Sequence, residues 1–113
     1  MKPIKKSLEI PLAVAAYFAA DKSDGDAVSR CFTDKAIVKD EGHAYHGRPA
    51  IGGWSVEASA KYQYTSEPLA SVERGGKTIV TARLTGNFPG SPVDLRFFFE
   101  LEGGKIASLE IIP

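Results

Sequence analysis

Cysteine is nearly missing from this chain. Cys31 is the only one in 113 residues, so no internal disulfide can form and no zinc site can draw on several thiolates. That scarcity predicts a reducing, cytoplasmic setting. An excess of either charge is also missing: fourteen Lys and Arg stand against fourteen Asp and Glu. Nucleic-acid binding needs clustered positive charge, so no nucleic-acid partner is expected. Long apolar runs are lacking too. Residues 12–20 fall far short of the ~20 apolar residues of a membrane span, and no membrane partner is expected. Lys2, Lys5 and Lys6 before that run give it the outline of a signal peptide. Glu9 and Pro11 interrupt the outline, and a helix accounts for the same residues. The chain also lacks a Ser-His-Asp elbow, a phosphate-cradling glycine loop and a dinucleotide fingerprint.

What is present suits one soluble domain over residues 1–113, with 1–10 as a tail or partly ordered lead-in. At 43% apolar and 25% charged residues, a chain this long can bury a core without staples. From Pro11, the Ala-rich stretch to Asp21 predicts a helix. Val14, Tyr17, Phe18 and Asp21 share one face. Lys22-Ser23-Asp24-Gly25 breaks it, and Asp24 or Asp26 caps a second helix through Ala27–Phe32. There Cys31 reads as a buried small hydrophobe beside Val28 and Phe32.

Ala36–Glu41 alternates as a strand: Val38 and Asp40 point one way, Lys39 and Glu41 the other. The two outer charges belong in water, which turns Asp40 towards the core. A carboxylate on an apolar face is costly unless it is hydrogen-bonded, protonated or at work. Two readings stay open, a working carboxylate or one that closes the turn at Gly42 by accepting backbone N–H bonds. A third helix runs from Gly47 to near Lys61 with Ile51, Trp54 and Ala58 on its apolar stripe. Gly52-Gly53 inside it implies a close neighbour or a mobile lid, since each glycine costs about 1 kcal/mol against alanine.

Four strands follow. Tyr62 to Glu73 alternates, Arg74–Lys77 is a hairpin turn, and Thr78–Phe88 places Val80, Ala82 and Leu84 on one face. Two prolines make residues 87–92 a wide loop. Val93–Glu102 sets Leu95, Phe97, Phe99 and Leu101 together, with Phe98 on the other face as a hint of a partner surface. Gly103-Gly104 turns into Lys105–Ile112. Helices on one face of a mostly antiparallel sheet give an α+β layer fold. When such a sheet bends strongly, its mouth is a natural ligand pocket.

Tyr17–Ala20 with the Asp-Gly-Asp helix start, Phe32–Ala36, Val38–Gly42, Gly47–Ile51, Trp54, Gly86–Pro92 and Gly104–Ile106 together resemble the nuclear transport factor 2-like superfamily. Within it the chain is similar to the SnoaL-like and ketosteroid-isomerase-like proteins. The resemblance implies a cone-shaped, curved, mostly antiparallel sheet wrapped around N-terminal helices (a cystatin-like fold). It also implies a homodimer and a small hydrophobic carbonyl ligand. Any enzyme among its readings is a cofactor-independent isomerase, cyclase or dehydratase. In ketosteroid isomerase an Asp base works beside an oxyanion hole made by a Tyr and a protonated Asp. The base position resembles Asp40 and the oxyanion tyrosine resembles Tyr17. The second acid should fall near Arg96 and Phe97, and no carboxyl stands there; Asp94 is out of register.

Trp54, Phe97 and Phe99 read as cavity walls or as core, with core the default for each, and His43 as a substrate contact or an exposed loop residue. His43 and His46, three apart, lack a third metal ligand, and no metal or cofactor is expected. Arg48 reads as a partner for Asp40 or Glu41, or as a solvated side chain. Arg83 and Arg96 are expected in cross-strand pairs with Glu100 or Glu73. The alternative function is a non-catalytic binding or dimerisation module.

Overall fold

The computed structural model describes residues 9–113. The expected lysine-bearing tail lies outside these residues, and Ile10 already packs against the core. The elements run α1 Leu12–Ala19, α2 Gly25–Ser29, β1 Phe32–Asp40, β2 His43–His46, α3 Gly47–Lys61, β3 Tyr64–Arg74, β4 Lys77–Gly86, β5 Val93–Glu102 and β6 Lys105–Ile112. The strands form one curved, open sheet in the order β2-β1-β6-β5-β4-β3. Only β1 and β6 pair in parallel; every other pairing is antiparallel. The expected α+β fold is present.

Local chemistry explains where the elements stop. α1 ends two residues before the expected Asp21, because Ala20 is extended. Lys22 then folds back, and its Nζ donates to the carbonyls of Tyr17, Phe18 and Ala20 at 2.7, 3.3 and 2.9 Å. These are among the carbonyls a helix end leaves without partners. Asp24 is the cap of α2 and accepts from the Ala27 N–H at 3.1 Å. α2 is shorter than expected because Phe32 is drawn into the sheet, where it pairs with Ile106. β1 therefore begins four residues before the expected Ala36.

The stretch after Asp40, expected as a turn leading straight into a helix, contains β2. Glu41 and Gly42 have φ of 53° and 78°, and Asp40 pairs with His43 across them. That is a two-residue hairpin of the kind whose positive-φ residues match the right-handed twist of the paired strands. Four residues at a sheet edge are too few for alternation to announce a strand.

The core is built from fully buried Val14, Val28, Phe32, Val38, Ile51, Val80, Phe99, Ile106 and Leu109. Burying each such side chain favours folding by about 1.5–3 kcal/mol. Leu101 departs from the expected stripe. The ladder shifts register between Glu100 and Leu101, and Leu101 ends 37% exposed. Gly52 has the close neighbour that its place in α3 implied: a Cβ there would lie 3.0 Å from the Gly25 carbonyl oxygen. The two glycines let α2 and α3 touch backbone to backbone. Gly53 has no neighbour within 4 Å of a built Cβ.

Candidate functional site

Asp40 closes β1 on the same face as Val38, as alternation predicted, and is half-buried. Its Oδ2 accepts a hydrogen bond from the Trp54 indole Nε1 at 3.0 Å. Trp54 is brought there by α3, which packs on β1 and β2. Arg48 holds the start of that helix in place: its Nε donates to the Phe32 carbonyl at 2.9 Å and its guanidinium meets Asp34 at 2.9 Å. Ser55 Oγ, one residue beyond Trp54, donates to the Lys22 carbonyl at 2.7 Å. The expected Arg48 pairing with Asp40 or Glu41 does not occur. Nor do the expected Glu partners of the outer arginines. Arg83 binds Asp94 at 2.8 Å and Arg96 Nη2 donates to the Pro113 carbonyl at 2.9 Å.

Asp40 faces a cavity of about 740 Å³, within the range of pockets that hold small organic ligands. Tyr17 from α1, Trp54 from α3 and Phe97 from β5 line it, as expected. Phe99 does not: it is fully buried behind the wall, stacked on Phe97 with ring centroids 6.3 Å apart. His43 is exposed at the hairpin end, beside Tyr45 and outside the lining.

The structure adds wall residues that sequence patterning did not name as cavity lining. Tyr45, Tyr62 and Tyr64 are part of the lining, with Leu84, Leu95 and Ile111 from β4, β5 and β6 and Phe88, Pro89 and Gly90 from the β4–β5 loop. Tyr45 lies in β2, whose four residues are too few to show an alternation. Tyr64 and Ser66 lie on one face of an alternating strand, and that alternation was the available signal. Among the charged lining residues are Glu41, Glu57 and Lys61.

The electrostatics favour a proton acceptor. Burial pushes the Asp40 carboxyl above its usual value. The Trp54 hydrogen bond opposes this, Glu41 adds to it and His43 opposes it. Oδ1 has no hydrogen-bond partner among the described residues. Tyr17 is 4% exposed, and burial, followed by the nearby Tyr64 and Asp40, raises its hydroxyl pKa well above normal. No fully buried side-chain polar atom among the described residues lacks a partner. The Tyr17 hydroxyl has no hydrogen-bond partner among the described residues; the residue lines the cavity and its hydroxyl stays protonated.

A model of the SnoaL-like domain matches residues 13–109. The chain belongs to the SnoaL-like domain family. A solved structure from Sinorhizobium meliloti, provisionally named a polyketide cyclase, is 45% identical at a TM-score of 0.85. The match covers 90% of this chain and 94% of that one. A protein with a ketosteroid isomerase-like fold from Catenulispora acidiphila, solved with trimethylamine, is 20% identical at a TM-score of 0.81, over 93% and 87% of the two chains. An epoxide hydrolase/cyclase-like enzyme of pyran ring formation in salinomycin is 22% identical at a TM-score of 0.74, over 88% and 86%. These last two share the fold with this SnoaL-like chain. No curated protein matches it.

Proposed function

We propose that the cavity takes a small hydrophobic carbonyl compound and that Asp40 removes a proton from the carbon beside the carbonyl. The reaction class is cofactor-independent isomerisation, cyclisation or dehydration. The observation that carries this reading is the state of Asp40: a half-buried carboxylate with a raised pKa, its Oδ1 without a partner among the described residues, at the wall of an aromatic cavity. A raised pKa makes a carboxylate a stronger proton acceptor. Tyr17 donates a hydrogen bond to the carbonyl oxygen as it gains charge. The C–H pair becomes the enolate double bond, and the Asp40 carboxyl then returns the proton to carbon or to a leaving oxygen. The provisional cyclase name of the Sinorhizobium relative supports cyclisation among these classes.

The test is α-proton exchange in D2O across a panel of cyclic ketones and 1,3-dicarbonyl compounds, followed by proton NMR. Wild type should accelerate exchange of at least one, and Asp40→Asn should lower that rate by roughly a hundredfold or more. Equal rates in the two proteins would refute the role of Asp40.

A second reading is a non-catalytic binder of organic cations. Asp40, Glu41 and Glu57 outnumber Lys61 in the lining, and the Catenulispora protein was solved with trimethylamine. Calorimetry with trimethylammonium separates the two readings, since only this one expects tight binding without exchange. We also propose a homodimer through the outer sheet face. There Ile79 pairs with both Phe98 and Val72, the last 49% exposed. Sedimentation giving only the 12.1 kDa monomer would overturn this.

A further inference from the structure

The inward residues of β5 are Val93, Leu95, Phe97 and Phe99, so no acid stands on that strand beside Tyr17. A developing oxyanion opposite Asp40 would then have a single donor. The structure offers another from a different strand. α1 packs against β3, and Tyr64 begins β3 on its inward face. Tyr64 pairs with Gly86, and a Cβ at Gly86 would come within 2.7 Å of the Tyr64 Cβ. Only glycine there lets Tyr64 sit where it does. Its ring lines the main cavity and also a smaller one of about 510 Å³ beside the end of α1, so it stands between the two. Its hydroxyl has no partner among the described residues.

We propose that Tyr64 is a second hydrogen-bond donor to the ligand oxygen, acting beside Tyr17 where the second acid is missing. The proposal rests on the reading of the pocket as a site for carbonyl compounds. Burial and the Asp40 charge raise the Tyr64 pKa, and the same charge acts on Tyr17. All three residues line the one cavity, and both hydroxyls remain protonated at neutral pH. Neither tyrosine transfers its proton. Asp40 takes the carbon-bound hydrogen, the bonding pair moves into the enolate, and the oxygen accepts two O–H donors while Asp40 is neutral. Two donors distribute the charge that one would leave half-solvated.

The experiment uses 4-nitrophenol as an oxyanion probe, since its ionised form is coloured and its methyl ether, 4-nitroanisole, cannot ionise. The Asp40→Asn protein mimics the neutral carboxyl and should bind the phenolate form, with coloured complex at a pH where free probe is neutral. Adding Tyr64→Phe should weaken phenolate binding by roughly tenfold or more, as expected for a hydrogen bond to a charged group. Tyr17→Phe should do the same. Affinity for 4-nitroanisole should hold in every variant, which establishes that the pocket is intact. Loss with Tyr17→Phe but not with Tyr64→Phe would overturn the proposal and leave Tyr17 as sole donor. Phenolate binding indifferent to both would overturn it as well. Neither outcome touches the proton-exchange role of Asp40, which D2O exchange measures separately. Exchange could equally fail while phenolate binding stays sensitive to Tyr64.

Discussion

The Trp54 indole N–H donates to Asp40 Oδ2 at 3.0 Å, joining the middle of α3 to the last residue of β1. The bond leaves the other carboxylate oxygen towards the cavity. It also moderates what burial does to the carboxyl: burial raises the pKa and the indole bond lowers it. One contact thus aims the carboxylate and sets how much of its charge survives in an aromatic pocket.

Trp54→Phe removes that donor and keeps most of the ring. The Asp40 pKa should rise further, read from carboxyl carbon shifts in an NMR pH titration. Stability at neutral pH should fall by about 1–3 kcal/mol, the usual cost of orphaning a partly buried acceptor. An unchanged Asp40 pKa would mean the indole bond does not form in solution.

Asp40→Asn should make the protein more stable at neutral pH. The folded Asp40 pKa lies above the ordinary 3.8, so between those two values the native state holds more protons than the unfolded one. Stability then falls as pH rises through that window and stays lower above it. The variant lacks this loss. Urea midpoints for both proteins across the acid range should converge below pH 4 and separate above it, with the variant higher.

Gly52→Ala and Gly53→Ala should have opposite signs although the residues are adjacent. Alanine favours a helix interior by about 1 kcal/mol over glycine. At position 53 the new methyl meets nothing within 4 Å, and the melting temperature should rise. At position 52 it lies 3.0 Å from the Gly25 carbonyl; α2 and α3 must separate, and the melting temperature should drop.

Lys22→Met should destabilise the protein and disturb the Tyr17 side of the cavity. The ammonium bonds three carbonyls at the end of α1 and lies 4.7 Å from the Tyr17 ring centroid. Burial lowers its pKa to about 8. A loss of roughly 1.5–3 kcal/mol is expected for bonds from a charged donor, measured by chemical denaturation. A variant as stable as wild type would show these bonds to be merely exchanged for water.

Alternation and periodicity determined much of this protein before any tertiary contact was known. They placed three helices, five of the six strands, the inward turn of Asp40 beside Val38, and Tyr17 on the buried face of its helix. These are local properties: a pleat sends alternate side chains to opposite faces, and a helix returns every 3.6 residues. The family resemblance was carried by short motifs spread over the same elements. Tertiary structure decided the rest. It exchanged Asp40's expected arginine for Trp54, because α3 crosses β1 at a point no spacing specifies. It moved Phe99 behind the wall and His43 out of the lining. It also brought Tyr64, from an edge strand of the sheet, into the lining of the same cavity as Tyr17. Which of several inward side chains meet depends on how the sheet curves and where the helices rest on it, and that is set by packing among residues far apart in the chain.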